Sequence, residues 1–208
     1  MNKENLQVSD KMHFGKYLWR VLEVQNDRVL VITEEIILKR PYHNGDKDTT
    51  WADCELRNYL NGEFYNSFED HDKLRILQVT NKNPDNQWYG TNGGKDTEDY
   101  IFLLTIEDVV CKYFGDSSEI LNNSIYKQKK YKYWFATKDK NNINRVANHI
   151  NGGVWWWWLR SPGRINRTAC YIHGVPAGIV GINGNGVFFR NFGPERDGGV
   201  RPALWLKI

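Results

Sequence analysis

The 208 residues suffice for one well-buried domain or two small ones, and 25% charged with 40% hydrophobic residues is ordinary for a globular chain. No apolar run approaches the length of a membrane span, and the polar segment Met1–Lys11 lacks a signal-peptide core. The chain as given therefore reads as cytoplasmic, with surface exposure through a removed leader left open. The net charge of +3 hides a split: 13 Lys/Arg against 18 Asp/Glu in residues 1–104, but 15 against 7 in residues 105–208. That split fits an anionic partner for the second half, or two halves that attract each other within one fold. Cys54, Cys111 and Cys170 are odd in number and form no CxxC pair, so they read as packed free thiols rather than a zinc cluster or disulfide framework.

Residues 1–11 read as a flexible tail and 12–208 as one domain. From Met12, apolar residues run to Val24, then Asn26-Asp27, then Arg28-Val-Leu-Val-Ile-Thr33, the pattern of a β-hairpin. Ile36 to Leu38 adds a short strand. Thr50-Trp-Ala-Asp53 has the form of a capping box, and the helix it opens places Trp51, Cys54, Leu56, Tyr59 and Leu60 near one face, with Gly62 weakening or ending it. Ser67–Asp70 repeats the capping form before a short acidic helix. Residues 81–99 are turn-rich and read as a long loop, Ile101–Leu104 as a short strand, and Thr105–Asp108 as the start of a third capped helix reaching Phe114. Residues 115–153 carry little pattern. Strands follow at Val154–Arg160, about 168–173, about 186–190 and Val200–Lys207. Helices in the first half and strands at both ends make this an α+β chain whose termini share a small antiparallel sheet, with two or three helices and a loop-rich C-terminal sheet.

The C-terminal block is the most distinctive part. Four consecutive tryptophans lead into Leu159-Arg-Ser-Pro-Gly163, and Gly198-Gly-Val-Arg-Pro-Ala-Leu-Trp-Leu-Lys-Ile208 closes the chain. In a strand, Trp155 and Trp157 face one way and Trp156 and Trp158 the other. Burial is expected for at least Trp156 and Trp158, while one exposed pair would serve as a ligand platform. Arg160 and Arg201 are expected to tie loops through bidentate hydrogen bonds.

Together with Phe14-Gly-Lys-Tyr-Leu-Trp-Arg-Val-Leu22, Thr50-Trp51, Leu56-Arg57, Tyr59-Leu-Asn61, Phe64-Tyr65, Asn83-Pro84 and Ile101–Leu104, these landmarks resemble a bacterial, Firmicutes-type family of unknown function. That family in turn resembles the C-type-lectin-like fold of formylglycine-generating enzymes and of the variable proteins of diversity-generating retroelements. The resemblance implies paired chain ends and a second, loop-rich sheet whose surface meets a ligand. The stretch Arg164–Arg196 would occupy the place of the hypervariable residues. Its candidate contact residues are Arg164, Asn166, Arg167, Tyr171, His173, Asn183, Asn185, Phe188, Arg190 and Asn191, side chains suited to interfaces. An ordinary set of glycine-rich β-turns accounts for the same composition equally well.

Catalytic patterns are sparse. The cysteine pair of the formylglycine-generating enzymes is missing, since only Cys170 lies in the C-terminal part. The five histidines form no HxxxH or HExxH pair, and the late segment holds only Glu195 and Asp197 as carboxylates, too few for a calcium sugar site. No cofactor is expected. The run Lys127–Trp134 alternates basic and aromatic residues in a manner that grips single strands, although a solvated lysine loop is the commoner meaning. The reading from sequence is thus a non-catalytic display module for a protein or glycan ligand, with nucleic acid disfavoured as a partner. In a sharper form it is a retroelement target protein. The alternatives are a sulfatase-modifying-like enzyme with altered chemistry and a nucleic-acid-binding accessory.

Overall fold

The computed structural model describes residues 6–44, 47–122, 139–174, 180–184 and 197–208. Strand β1 (Lys11–Phe14) turns into β2 (Tyr17–Val24) at Gly15, whose φ of +53° is left-handed and natural to glycine. The apolar run read as one hairpin arm is thereby folded into two strands. The expected turn at Asn26-Asp27 then leads to β3 (Arg28–Thr33), paired antiparallel with β2. Ser9 donates its backbone N–H to Val21, and Val21 donates to Asp10, so β2 also holds the residues just before β1. The next strand, β4, is Leu38–Arg40 rather than 36–38, because Ile36 instead bridges His149.

A 3₁₀ turn (Trp51–Asp53), helix α1 (Glu55–Tyr59) and a π-helical turn (Leu60–Phe64) then follow without a break. The Thr50 hydroxyl donates to Asp53 but caps no backbone group; the N-cap is Cys54, whose sulfur accepts from the Arg57 N–H at 3.4 Å. Gly62 does not end this segment. The π turn carries the chain through it, because burial of Leu60 and Phe64 on either side outweighs the cost of one helical glycine. Helix α2 (Asp70–Lys73) is short and has no side-chain cap, contrary to the Ser67–Asp70 pattern.

Strands β5 (Ile76–Leu77), β6 (Val79–Asn81) and β7 (Thr97–Asp99) come next, and β6 pairs with β7. The expected long loop is therefore closed at its base by a ladder. Ile101–Leu104 is fully buried but forms no strand; only Phe102 bridges Ala203. The capping box at Thr105 is present, with the Asp108 N–H donating to the Thr105 hydroxyl and the Thr105 N–H to the Asp108 carboxylate. The helix it opens is a π-helical turn (Asp108–Lys112) that stops short of Phe114, and helix α3 (Ser118–Asn122), a 3₁₀ segment (Lys140–Arg145), β8 (Ala147–Asn148), β9 (Val154–Trp155), β10 (Trp157–Pro162), β11 (Ala169–Ile172), β12 (Val180–Gly184), β13 (Gly198–Val200) and β14 (Ala203–Lys207) complete the order.

Two five-stranded sheets result. The first runs β1-β2-β3-β14-β5, all antiparallel, which joins the N- and C-terminal strands as expected. The second runs β12-β11-β10-β13-β4, with a parallel step between β10 and β13. The expected single strand Val200–Lys207 is two strands in different sheets. Pro202 lacks an N–H and breaks the ladder between them. Arg201 fastens this crossing, its Nε and Nη2 donating to the carbonyls of Thr33 and Glu34 at 2.8 and 3.1 Å, with Trp157 and Phe114 rings beside it. Burial, then the charge of Arg20, pulls this guanidinium down to about 9, so it stays charged at neutral pH. Arg160 ties the second sheet to the Leu103 carbonyl through Nη1. Trp19, Val31 and Leu204 of the first sheet share one buried cluster with Trp157, Leu159 and Ile172 of the second.

Asp99, the last residue of β7, is fully buried and organises the helical segment. Its Oδ2 accepts from Trp51 Nε1 (3.0 Å), Asn81 Nδ2 (2.9 Å) and the Thr97 hydroxyl (2.7 Å). Its Oδ1 accepts from Arg57 Nε (2.6 Å) and, more weakly, Asn61 Nδ2 (3.4 Å). Replacing it removes the counter-charge of the partly buried Arg57 guanidinium and leaves Arg57 Nε, Trp51 Nε1 and Asn81 Nδ2 without this acceptor. Asp99→Ala is expected to lower unfolding free energy by about 3 kcal/mol or more in urea titrations; a loss below about 1 kcal/mol would show that the helical segment does not depend on this carboxylate.

Glu34 accepts a bidentate pair from Arg20 at 2.7 and 2.6 Å and lies 3.1 Å from Lys11 Nζ. Burial pushes its carboxyl up, but the bonds from Arg20 and Lys11 outweigh that and hold it below its ordinary 4.5. A depressed carboxyl stabilises the fold fully above 4.5, and that contribution is lost as pH falls through the lowered value. Glu34→Gln should flatten the stability-versus-pH curve below pH 4.5, measured by chemical denaturation; superimposable curves would refute this assignment.

Candidate ligand-binding face

Five of the ten candidate contact residues fall into two groups at opposite ends of the β10–β11 hairpin. Arg164, Asn166 and Arg167 are exposed in its turn. Thr168 shapes that turn: its hydroxyl donates to the Ile165 carbonyl and accepts the Ile165 N–H. Neighbouring loops hold the turn in place. Thr49 donates its N–H to the Asn166 carbonyl, the Thr91 hydroxyl donates to the Arg164 carbonyl, and Arg167 lies 3.8 Å from Asp48. Tyr171 and His173 are half-buried at the other end, about 13 Å along the strand from Arg167. Asn183 belongs to β12. Asn185, Phe188, Arg190 and Asn191 lie outside the described residues, as do the expected strand 186–190 and the basic segment Lys127–Trp134.

Tyr171 and His173 form part of an aromatic face. Trp158 pairs directly with Tyr171, so Trp156, Trp158, Tyr171 and His173 share one side of the second sheet. Trp156 meets Trp158 edge-on at 4.6 Å and Tyr171 at 5.4 Å. Trp158 is fully buried beneath Tyr42 (5.5 Å), which itself packs on Trp51. Trp156 is only half-buried, a correction to the expected burial. The expected strand 154–160 is interrupted at Trp156, between β9 and β10, and the Tyr42 cover stops one strand pair short of it. On the other side of the sheet, Trp157 is buried and donates to the Arg145 carbonyl, while half-buried Trp155 carries Lys39 Nζ 3.5 Å above its ring.

Two glycines make this stacking possible. A Cβ on Gly198 would lie 2.0 Å from Trp158 Nε1 and 2.6 Å from Trp156 Cζ3; one on Gly199 would meet the Trp156 carbonyl at 2.6 Å. Opposite Gly198 stands Arg40, whose carbonyl accepts from Trp158 Nε1 at 3.0 Å and whose guanidinium lies 3.9 Å over the Tyr59 ring. Arg40, Tyr59 and the openness of Trp156 escaped sequence reasoning. The only available signal was the adjacent glycine pair in a strand, which marks a close approach.

Among the described residues, no group of three His, Cys, Asp or Glu is arranged to hold a metal ion. Burial pushes the Cys54 thiol up to about 12 and the Cys170 thiol still higher, so both are protonated at neutral pH rather than nucleophilic thiolates. A surface recess of about 300 Å³ lies at Gly15, Tyr17, Phe68 and Asp72, and one of about 160 Å³ at Asn86, Glu107 and Ser161; of the described candidates, Arg164, Asn166, Arg167, Tyr171 and His173 line neither. No helix among the described residues is long and apolar enough to cross a membrane.

The family model of a domain of unknown function, DUF6273, matches residues 26–208. The chain belongs to the DUF6273 family. No curated protein and no solved structure matches it. The DUF6273 span opens in the β2–β3 turn, so it contains the whole second sheet and the aromatic face, while β1 and β2 precede it. The resemblance read from the sequence began earlier, at Phe14.

Glycine substitutions test the face. Gly198→Ala forces Trp158 or the strand to move, an overpacking cost of about 1–3 kcal/mol, and should alter the near-ultraviolet circular dichroism of the tryptophans. Gly62→Ala meets no atom within 4 Å and should instead stabilise by about 0.5–1 kcal/mol. Equal effects at the two sites would contradict the close approach described for Gly198.

Proposed function

We propose that the protein is a non-catalytic ligand-binding module whose contact surface is the open end of the second sheet, Trp156, Tyr171 and His173, together with the exposed turn Arg164–Arg167. The observation that carries this reading is the half-buried aromatic group at Trp156 and Tyr171, locked from beneath by Trp158 over Gly198. Rigid rings supply contact area with little entropy to lose on binding. The exposed turn adds adaptable polar groups at the far end of the same hairpin.

In its finer form the architecture is a variant of the C-type-lectin-like fold. The paired terminal strands and a second sheet built from late residues support that assignment. The stretch 164–196 then corresponds to a diversified segment set between two fixed anchors, β10 and β13. Sequencing this locus across a source population tests that form. Substitutions clustered in codons 164–196, beside a repeat differing at adenines, are the expected result; a uniform locus without a repeat refutes it.

Substitution tests the surface itself. With the full chain on an immobilised glycan array, Trp156→Ala and Tyr171→Ala should each weaken binding roughly thirtyfold, the scale of an aromatic anchor. Wild-type affinity in both variants would move the contact surface elsewhere.

A further inference from the structure

The electrostatics around the aromatic face indicate what its ligand carries. Gly198 pairs with Arg40, and a side chain at Gly198 would point into the Trp156 and Trp158 rings. Arg40 therefore stands on the same side of the sheet as Trp156, two strands away, at about 10 Å. Its backbone is fixed by Trp158 and its guanidinium by the Tyr59 ring, 3.9 Å away. Its side chain makes no ion pair or hydrogen bond among the described residues, unlike Arg20, Arg57, Arg145 and Arg160, each within 4.0 Å of a carboxylate. A half-buried arginine held planar on a ring, with its fork unused, is preorganised for an oxyanion.

The pattern continues past Arg40. Tyr59 and Tyr17 both pack on Phe64, at 6.2 and 5.8 Å, and exposed Lys16 lies 5.6 Å from the Tyr17 centroid, again without an ion pair among the described residues. Rings and unneutralised cations thus alternate from Trp156 through Arg40 and Tyr59 to Tyr17 and Lys16. Carboxylates stand close to this track: Glu63 beside Tyr59, and Glu69 and Asp72 across the recess that Lys16 lines. An anion at every unit of a ligand, as in nucleic acid, would meet those carboxylates, and strong binding to nucleic acid needs many cations per strand. A ring-bearing polymer with spaced carboxylates meets the rings and the cations without that repulsion.

We propose that the ligand of this face is a carboxylate-bearing polysaccharide, its sugar rings stacked on Trp156 and Tyr171 and a uronate carboxylate held by the Arg40 guanidinium. This inference rests on the binding-module reading above. The quadrupole of each ring presents a negative face to sugar C–H groups, and the planar fork of Arg40 matches a carboxylate in two parallel hydrogen bonds.

The test uses the full chain with hyaluronan, unsulfated chondroitin and heparosan, which carry a carboxylate on alternate sugars, their carboxyl-reduced forms, and poly-dT, by titration calorimetry at low salt. Binding to at least one acidic polymer is expected, with loss on carboxyl reduction. Arg40→Gln should weaken it roughly tenfold, and Arg40→Lys, which keeps the charge, should recover part of that. Equal binding of acid and reduced forms, an Arg40→Gln variant at wild-type affinity, or tighter binding of poly-dT than of any polysaccharide would each overturn the proposal. So would failure of all three acidic polymers to bind. The underlying reading fails separately: if Trp156→Ala leaves acidic-polymer binding intact the aromatic face is not the site, whereas if Trp156→Ala abolishes binding that ignores carboxyl reduction, the face stands and only the charge assignment falls.

Discussion

The Asp99 carboxylate is removed from water altogether, and five hydrogen bonds converge on it from Trp51, Arg57, Asn61, Asn81 and Thr97. An isolated buried charge would be ruinous; a guanidinium at 2.6 Å and a full set of donors make it tolerable. The consequence is organisational. The 3₁₀ turn, α1 and the π turn are each too short to persist alone, and Asp99 joins all three to the β6–β7 ladder. Asn61 strengthens the joint by donating to the Ile101 carbonyl and accepting the N–H groups of Tyr100 and Ile101. With that segment fixed, Tyr42 and Trp51 close over Trp158, and Tyr59 lies beneath Arg40.

The second sheet is thus covered along most of one face and open at one end. The cover over Trp158 is Tyr42, backed by Trp51 of the helical segment, and its limit coincides with the interruption of the chain at Trp156. Gly198 and Gly199 let two indoles, set edge-on to each other, pack directly against β13, so the open end is a rigid aromatic floor rather than a set of mobile side chains. A ligand meeting such a floor loses less conformational freedom to the protein than one that must order flexible groups.

Local chemistry was readable from the sequence. The Asn26-Asp27 turn, the Thr105–Asp108 box, the packed thiols and the framework roles of Arg160 and Arg201 each depend on residues near in sequence or on a strong chemical preference. Long-range chemistry was not. Asp99 sits in a turn-rich segment, and its partners Trp51 and Arg57 lie 48 and 42 positions away, so nothing local distinguishes it from a solvated loop acid. The open position of Trp156 is equally non-local, since four identical residues in a row offer no contrast in hydropathy and only the cover supplied by Tyr42 separates their fates. The parallel step between β10 and β13, and the division of 198–207 between two sheets, follow from tertiary pairing that Pro202 hints at but does not specify.

The position of β14 bears on how the protein comes into being. This strand lies between β3 and β5 in the interior of the first sheet, and the Arg201 side chain just before it clasps Thr33 from 168 positions away. On the ribosome, β3 therefore emerges long before the neighbour that will cover its open edge. Until then a run of Val29, Leu30, Val31 and Ile32 presents unpaired backbone groups to whatever else is nearby. The nascent chain is consequently most prone to misassociation during synthesis of its middle, and its folding is governed by a late, long-range strand insertion rather than by progressive growth from the first hairpin.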